Sequence, residues 1–318
     1  MDYLVALQEI RETCPGALLS LMVLMSEFCI YGLPLLICVM YWCVEKKFAQ
    51  VAMVNLAAGN LFNNFLKLCF SVYRPWVRDP RAYVAKEAAS TAEGYSFPSG
   101  HSTAAGAVFT SILKRYGKKT WIRVICIVFM IAVPFSRMFL GAHTIEDVLA
   151  GLFLGVVMIF LGEPIVNRVN RSRRNELIYL LVCVTVCVLM LAFVETKNYP
   201  MELKADGSLL VDPDTMKPSM YGACGMVLGW AIAWPLERHC IDFAMPASKK
   251  EAWIRAILGI LAFVIVFFGI KKLGAGWDSR AEQIIRYGAA VIVAGYVYPL
   301  SFKKLGLLIN GKDQKTEA

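Results

Sequence analysis

Charge is what this sequence has least of. Only 18% of its 318 residues are Asp, Glu, Lys or Arg, while 58% are hydrophobic and the mean hydropathy is +0.56. Soluble globular chains carry about 25% charged and 45–50% apolar residues, so a water-soluble domain is excluded. Histidine is scarcer still, at three residues. No Cys-x-x-Cys pair, no metal-spaced cluster of His, Cys and carboxylates, and no Walker-type loop is present, so the site is expected to hold no metal and the chain no cofactor. There is no internal repeat, coiled coil or long low-complexity tract. The ten Cys fall mostly inside apolar blocks, as Cys126, Cys183 and Cys187 do, and read as small packing residues rather than a disulfide scaffold.

What is there instead is a series of apolar blocks of about 17–25 residues, the length that crosses a bilayer as a helix. Backbone polar groups in hydrocarbon must be satisfied internally, so the fold class is all-α, a polytopic transmembrane helical bundle. Nine spans are predicted, at 17–42, 47–66, 100–116, 121–138, 144–166, 176–194, 219–237, 252–270 and 281–300. Asn55, Asn60, Asn63 and Asn64 dilute the second, and the third is short. Residues 1–14 carry Asp2, Glu9, Arg11 and Glu12 and lack the pattern of a cleavable signal peptide. Tyr3, Leu4, Leu7 and Ile10 fit one face of a helix, so 1–16 is expected to lie on the membrane surface.

Lys and Arg placement orients the chain. Nineteen of the 33 lie in the connections after spans one, three, five and seven and in the C-terminal tail. That side is expected to be cytoplasmic, with the N-terminus outside and the C-terminus inside. The acidic segment 195–218 falls outside, in agreement. The net charge of +9 is then a topology signal plus attraction to anionic headgroups, with the bilayer as partner and no nucleic acid required.

Ionisable groups in or beside spans are costly and mark functional sites. Three clusters stand out. "KLCFSVYRP" ends span two with Lys67, Arg74 and Pro75. "GYSFPSGHSTAAGAVF" opens span three with Pro98, Ser99, Gly100 and His101. "SRMFLGAHTIEDVLAG" closes span four with Ser136 and Arg137 and opens span five with His143 and Asp147. All three lie on the outer side, so they are expected to meet at one rim. Lys67, Arg74 and Arg137 would supply charge-assisted bonds, and arginine can grip phosphate with two. The amides of Ser99, Gly100 and His101 would point out of a helix N-terminus, where an anion binds, and Gly100 would let it come close. The expected ligand is a phosphate group. His143 and Asp147 are four apart and share a helix face. Asp147 would fix the imidazole tautomer and leave the other nitrogen to attack, with His101 as acid toward the departing oxygen. That is phosphoryl transfer through a phosphohistidine.

These motifs resemble the signatures of the type-2 phosphatidic acid phosphatase family: Lys67…Arg74-Pro75, then Pro98-Ser99-Gly100-His101, then Ser136-Arg137…His143…Asp147, with no departure. The resemblance implies a six-helix phosphatase core, here 17–194, leaving 195–318 as a three-span extension with a cytoplasmic tail. It implies His143 as nucleophile, His101 as acid, Asp147 as the partner of His143, and phosphate contacts from Lys67, Arg74, Ser99, Gly100 and Arg137, with no metal. Expected substrates are phosphorylated lipids: phosphatidic acid, phosphatidylglycerol phosphate or a polyprenyl diphosphate. A bacterial cytoplasmic membrane suits the short loops, and "YWCVEKK" and "LGAHTIEDVLAGLFLG" look like the bacterial lipid-phosphatase branch. Sphingosine-phosphate phosphatases also carry extra C-terminal spans. Nine spans with the N-terminus outside are similar to glucose-6-phosphatases, so a sugar phosphate is the alternative. A lipid phosphate transporter and a phosphotransferase are the others.

Remaining polar residues receive quieter readings. Glu146 points away from Asp147 as a rim carboxylate. His239 is expected in a solvated loop. Glu27 pairs with Asn55 or Asn60, or faces a cavity. Asn63 or Asn64 orients Lys67. Trp76, Tyr83, Tyr95 and Phe97 form an interfacial aromatic belt, with a lid over the site as the rival reading.

Overall fold

The computed structural model describes residues 1–204 and 207–310. Asp206, Lys312 and Lys315, which entered the charge balance, lie outside the described residues. Each of the nine predicted spans is helical. The elements are α1 (Asp2–Thr13), α2 (Gly16–Cys43), α3 (Lys46–Phe70), α4 (Gly100–Tyr116), α5 (Thr120–Phe139), α6 (Ile145–Val169), α7 (Arg173–Thr196), α8 (Lys217–Cys240), α9 (Lys249–Leu273) and α10 (Ser279–Gly306). Among the described residues the one extended pairing is an isolated bridge, Leu203 with Leu209. The fold is an all-α polytopic bundle.

Six of the nine, α2, α5, α6, α7, α9 and α10, are long and apolar enough to cross a membrane. They turn large apolar side chains outward, such as Trp121 and Ile131 on α5, Phe153 and Phe160 on α6, Leu181 and Leu189 on α7, and Ile265 on α9. Only a hydrocarbon solvent makes such a surface stable. The protein is therefore an integral membrane protein. The other three, α3, α4 and α8, are more polar or shorter, and their residues are largely buried. Protein rather than lipid surrounds them, so side chains such as Asn55, Asn63 and Ser111 find partners instead of meeting hydrocarbon. Asn55 donates to Ser111 Oγ at 2.8 Å, which corrects the expected pairing of Asn55 with Glu27.

Prolines shape the helices locally. A π-turn at Phe28–Gly32 ends two residues before Pro34, and another at Val293–Val297 ends two residues before Pro299. Proline has no N–H to give the ladder, and a wider turn absorbs the gap.

The chain divides into two compact units. The first comprises Met1–Leu33, Asn55–Leu161 and Leu189–Met220. Here α4 packs most extensively on α6, through backbone. A Cβ on Gly155 would meet the Thr103 carbonyl oxygen at 2.2 Å, and one on Gly151 the Ser99 carbonyl oxygen at 2.3 Å. Only glycine lets the two helices come this close. The α1 helix packs Leu4 inward, and its buried Arg11 donates to Phe139 O at 3.0 Å and Tyr83 O at 3.1 Å. The chain just after α7 is tied down as well. Lys197 Nζ donates to Leu68 O and Cys69 O, each at 2.5 Å, satisfying carbonyls at the end of α3.

The second unit comprises Pro34–Val54, Gly162–Val188 and the chain from Tyr221. Its fully buried carboxylate, Glu237, pairs with Lys46 at 2.7 Å and accepts from Tyr41 Oη at 3.1 Å. His239, expected in a loop, lies in the last turn of α8 and faces Glu176 at 2.7 Å. Glu176 also takes Arg238 at 2.5 Å. A lone carboxylate brought in by α7 thus orders the end of α8.

Gly155→Ala is expected to lower the thermal unfolding midpoint in detergent, through an overpacking cost of about 1–3 kcal/mol. Gly269→Ala, where nothing lies within 4 Å of the new methyl, is expected to leave the midpoint unchanged or raise it. Equal midpoints for the two variants would contradict the close α4–α6 approach.

Candidate active site

Two helix starts and two helix ends build the site, all within the first unit. The turn before α6 carries His143, and α6 begins with a capping box. Thr144 is the N-cap: its hydroxyl accepts from Asp147 N, and Asp147 Oδ2 accepts from Thr144 N at 2.8 Å. The pattern Thr-x-x-Asp is a helix-start signal in the sequence. One carboxylate therefore starts the helix and faces the imidazole, with Asp147 Oδ2 3.3 Å from His143 Nδ1.

The other imidazole nitrogen meets Arg74. Arg74 Nη1 lies 3.0 Å from His143 Nε2 and also donates to Ala142 O at 2.8 Å. Nη1 also lies 3.5 Å from Nδ1, beside both ring nitrogens, so the tautomer is set by the Asp147 carboxylate at Nδ1, which can only accept and leaves Nε2 bare. The proton then sits on Nδ1, facing Asp147. Arg74 is fixed by Gly94 O at 3.2 Å and Glu93 O at 2.9 Å, carbonyls of the loop that leads into α4. Burial, and then the charges of Arg74, Lys67 and Arg137, push the His143 imidazole well below its ordinary range, so it stays neutral in mildly acidic solution.

The α4 start is fastened from both sides. Ser99 is its N-cap, accepting from Ser102 N. The Ser99 amide donates to Asp147 O at 2.9 Å. This corrects the expectation that the Ser99 amide points out toward an anion, because the close α4–α6 packing consumes it. Gly100 and His101 occupy the first helical turn, where amides have no intrahelical partner. Asn63 Nδ2 donates to Pro98 O at 3.2 Å and Thr103 Oγ1 at 2.9 Å. Asn63 thus orients the Pro-Ser-Gly turn and not Lys67, and Asn64 turns back to Asn60. Lys67 is held by Tyr95 O and Ser96 O, each at 3.0 Å.

His101 lies within electrostatic reach of His143, Lys67, Arg74 and Arg137, and its buried Nε2 has no partner. Arg137 is fully buried. It donates to Ser26 Oγ at 2.6 Å and Thr91 Oγ1 at 3.2 Å. Its Nε is likewise buried without a partner. The carboxylate near it is Glu27. Buried polar atoms are normally paired, so two orphans on neighbouring site residues mark a place for a polar ligand.

Sequence reasoning missed two residues. Ser96 is fully buried, bonds through its hydroxyl to Asp147 Oδ2, and lies 3.3 Å from His143 Nδ1. Tyr95, read as part of an interfacial belt, is fully buried and stacked on Tyr199 at 6.4 Å. Its amide donates to Met216 Sδ at 3.0 Å. No local pattern distinguishes either residue, because their partners lie on distant segments.

Residues 49–171 match the model of the PAP2 superfamily. Residues 221–312 match that of the PAP2 superfamily phosphatase, transmembrane extension. The chain is similar to phosphatidylglycerophosphatase B of Bacillus subtilis, 34% identical over 89 residues, covering 26% of this chain and 44% of that one. It is 32% identical over 145 residues to undecaprenyl-diphosphatase BcrC of the same species, covering 45% of this chain and 72% of the relative. With human sphingosine-1-phosphate phosphatase 2 it shares 28% over 206 residues, covering 63% and 48%. The chain thus spans less than half the length of two of these relatives. No solved structure matches it.

Asp147→Ala removes a helix cap and two side-chain partners, so it is expected to cost about 1–3 kcal/mol of stability. Asp147→Asn keeps an oxygen for the Thr144 amide and is expected to cost less. Thermal unfolding of the two variants in detergent checks the order.

Proposed function

The chain belongs to the PAP2 superfamily, and from that membership we propose that it is a membrane phosphatase hydrolysing a lipid phosphate or diphosphate through a phosphohistidine on His143. The observation that carries this reading is the His143 ring, with a carboxylate 3.3 Å from Nδ1, which leaves Nε2 bare, and the Arg74 guanidinium beside both nitrogens at 3.0 and 3.5 Å. A nitrogen held this way is a nucleophile aimed at an electron-poor centre beside a cation, which describes phosphorus in an ester gripped by Arg74.

The chemistry then runs in two steps. Nε2 attacks phosphorus, the N–P bond forms, and the P–O bond to the lipid breaks. His101 gives its proton to the leaving oxygen. The phosphorylated ring carries positive charge, which Asp147 stabilises through Nδ1–H. Water next attacks phosphorus, His101 takes its proton, the N–P bond breaks, and phosphate leaves. Lys67, Arg74 and Arg137 hold the phosphoryl oxygens, with Ser99 and Gly100 at the α4 start beside them. Such fixed cations stabilise the transition state in a buried site better than water would.

The names of the relatives support a lipid substrate, since all three name a phosphorylated lipid. Phosphatidic acid, phosphatidylglycerol phosphate and a polyprenyl diphosphate are the classes proposed. Lys and Arg placement supports an extracytoplasmic site and a cytoplasmic C-terminus, and the short loops support a bacterial cytoplasmic membrane.

The test is phosphate release by the detergent-purified protein with EDTA present. The panel holds these lipids, sphingosine phosphate and glucose 6-phosphate. Hydrolysis of a lipid member that falls at least 1,000-fold in His143→Ala is expected. Preference for glucose 6-phosphate would replace the lipid reading, and release unchanged in His143→Ala would remove the histidine mechanism. The pH profile supplies a second check. A depressed folded-state pKa means that His143 stays neutral as pH falls through about 6.5, its ordinary value. The acid limb of kcat/KM, corrected for ionisation of the substrate, is therefore expected below pH 6.5. A limb above it would contradict a neutral nucleophile.

A further inference from the structure

Ser96 is none of the signature residues, yet it bonds to the first and third motifs and stands just before the second. Its carbonyl accepts from Lys67 Nζ at 3.0 Å. Its amide donates to Val72 O at 2.7 Å, two residues before Arg74. Its side chain reaches the third motif, donating to Asp147 Oδ2 with Oγ 3.3 Å from His143 Nδ1. The residue is fully buried, and it stands two positions before Pro98. A buried hydroxyl has one proton to give and lone pairs to accept with. The proton goes to Asp147, so the oxygen is left to accept, and the Nδ1–H of His143 is the donor within reach.

We infer that Ser96 is a positioning residue of the phosphoryl-transfer site, bridging His143 Nδ1–H to Asp147 through its hydroxyl and holding Lys67 through its carbonyl. The inference rests on the proposed histidine mechanism.

The geometry gives the bridge a task that Asp147 alone does not complete. Asp147 Oδ2 already accepts from Thr144 N at 2.8 Å and from Ser96, while its distance to Nδ1 is 3.3 Å. That is long for a charge-assisted bond, which runs about 2.7–2.9 Å. The Nδ1 proton is therefore shared between two acceptors, each 3.3 Å away. Together they pin the ring so that the bare nitrogen is Nε2. When Nε2 bonds to phosphorus, Nδ1 keeps its proton and the ring becomes cationic. Ser96 and Asp147 then both accept from a charged donor. Without the hydroxyl, one acceptor is lost, and the opposite tautomer, with its proton on Nε2, becomes accessible.

The experiment follows phosphoenzyme formation and the imidazole tautomer together, in Ser96→Ala and in the near-isosteric Ser96→Cys, whose thiol is a poor hydrogen-bonding group. Rapid acid quench with ³²P-labelled phosphatidic acid, or whichever panel lipid the wild type hydrolyses, gives the phosphoenzyme rate. With three histidines in the chain, ¹⁵N-histidine labelling gives three ring-nitrogen pairs, and His143→Ala assigns one of them. The wild type is expected to show His143 protonated on Nδ1. Both variants are expected to slow phosphoenzyme formation about 10–100-fold, the range for losing a hydrogen bond to a charged group. KM is expected to hold, and the His143 signals are expected to move toward the Nε2–H form.

Unchanged rates in the variants would overturn the inference, as would a slower rate with the tautomer signals unmoved, since that describes packing alone. A wild-type His143 protonated on Nε2 would overturn it even where a variant fails to fold. Failure of the proposed function looks different: wild type that releases no phosphate from any lipid, or that forms no phosphoenzyme while it turns over.

Discussion

One carboxylate oxygen, Asp147 Oδ2, holds together what the site needs. It accepts from the Thr144 amide and so starts α6, accepts from Ser96 and so ties in the loop before α4, and faces His143 Nδ1. The backbone of the same residue receives the Ser99 amide at 2.9 Å. A helix cap, a loop anchor, an inter-helix bond and an imidazole partner therefore depend on a single side chain and its own carbonyl. Buried carboxylates are costly unless fully hydrogen-bonded, and here every bond that offsets the burial also fixes a group of the site.

The glycine contacts make that convergence possible. Gly151 and Gly155 bring the α6 backbone against Ser99 O and Thr103 O, which sets the separation between the His101 turn and the His143 turn. Helices that pack through larger side chains stand about 8–10 Å apart, and the Ser99 amide would not reach Asp147 O across a wider gap. The packing thus accounts for the shape of the site and for the loss of one amide that anion binding could otherwise have used. The Nε2 of His101 and the Nε of Arg137 are among the buried side-chain atoms of the described residues that have no protein partner.

The surroundings reinforce the same loop from further away. Tyr95 stacks on Tyr199 and donates its amide to the Met216 sulfur, and its carbonyl holds Lys67. Arg11 of α1 clasps the carbonyls of Tyr83 and Phe139, on the loop and helix end that precede His143. Neither contact touches the imidazoles. Each orders a segment from which a site residue projects, so rigidity here comes from many bonds to backbone carbonyls.

Apolar block length and the scarcity of charge determined the all-α membrane fold from sequence alone, because continuous apolar blocks of that length satisfy their backbone in a bilayer as helices, where barrel strands are about half as long. The same scarcity made Lys67, Arg74, His101, Arg137, His143 and Asp147 conspicuous, and four-residue spacing paired His143 with Asp147, although His143 lies in the turn before the Thr144 cap and not on the expected helix face. The capping box was present in the sequence as Thr144-x-x-Asp147 and could have been read there. Tertiary structure alone decided the rest. It spent the Ser99 amide on Asp147, aimed Asn63 at the Pro98 turn rather than Lys67, turned Arg137 toward Ser26 and Thr91, buried Tyr95, and brought Ser96 to the imidazole. Each of these outcomes depends on a partner tens of residues away, and local pattern carries information only about neighbours within a turn or two of helix. Which polar group meets which was settled when α4 and α6 closed to backbone contact.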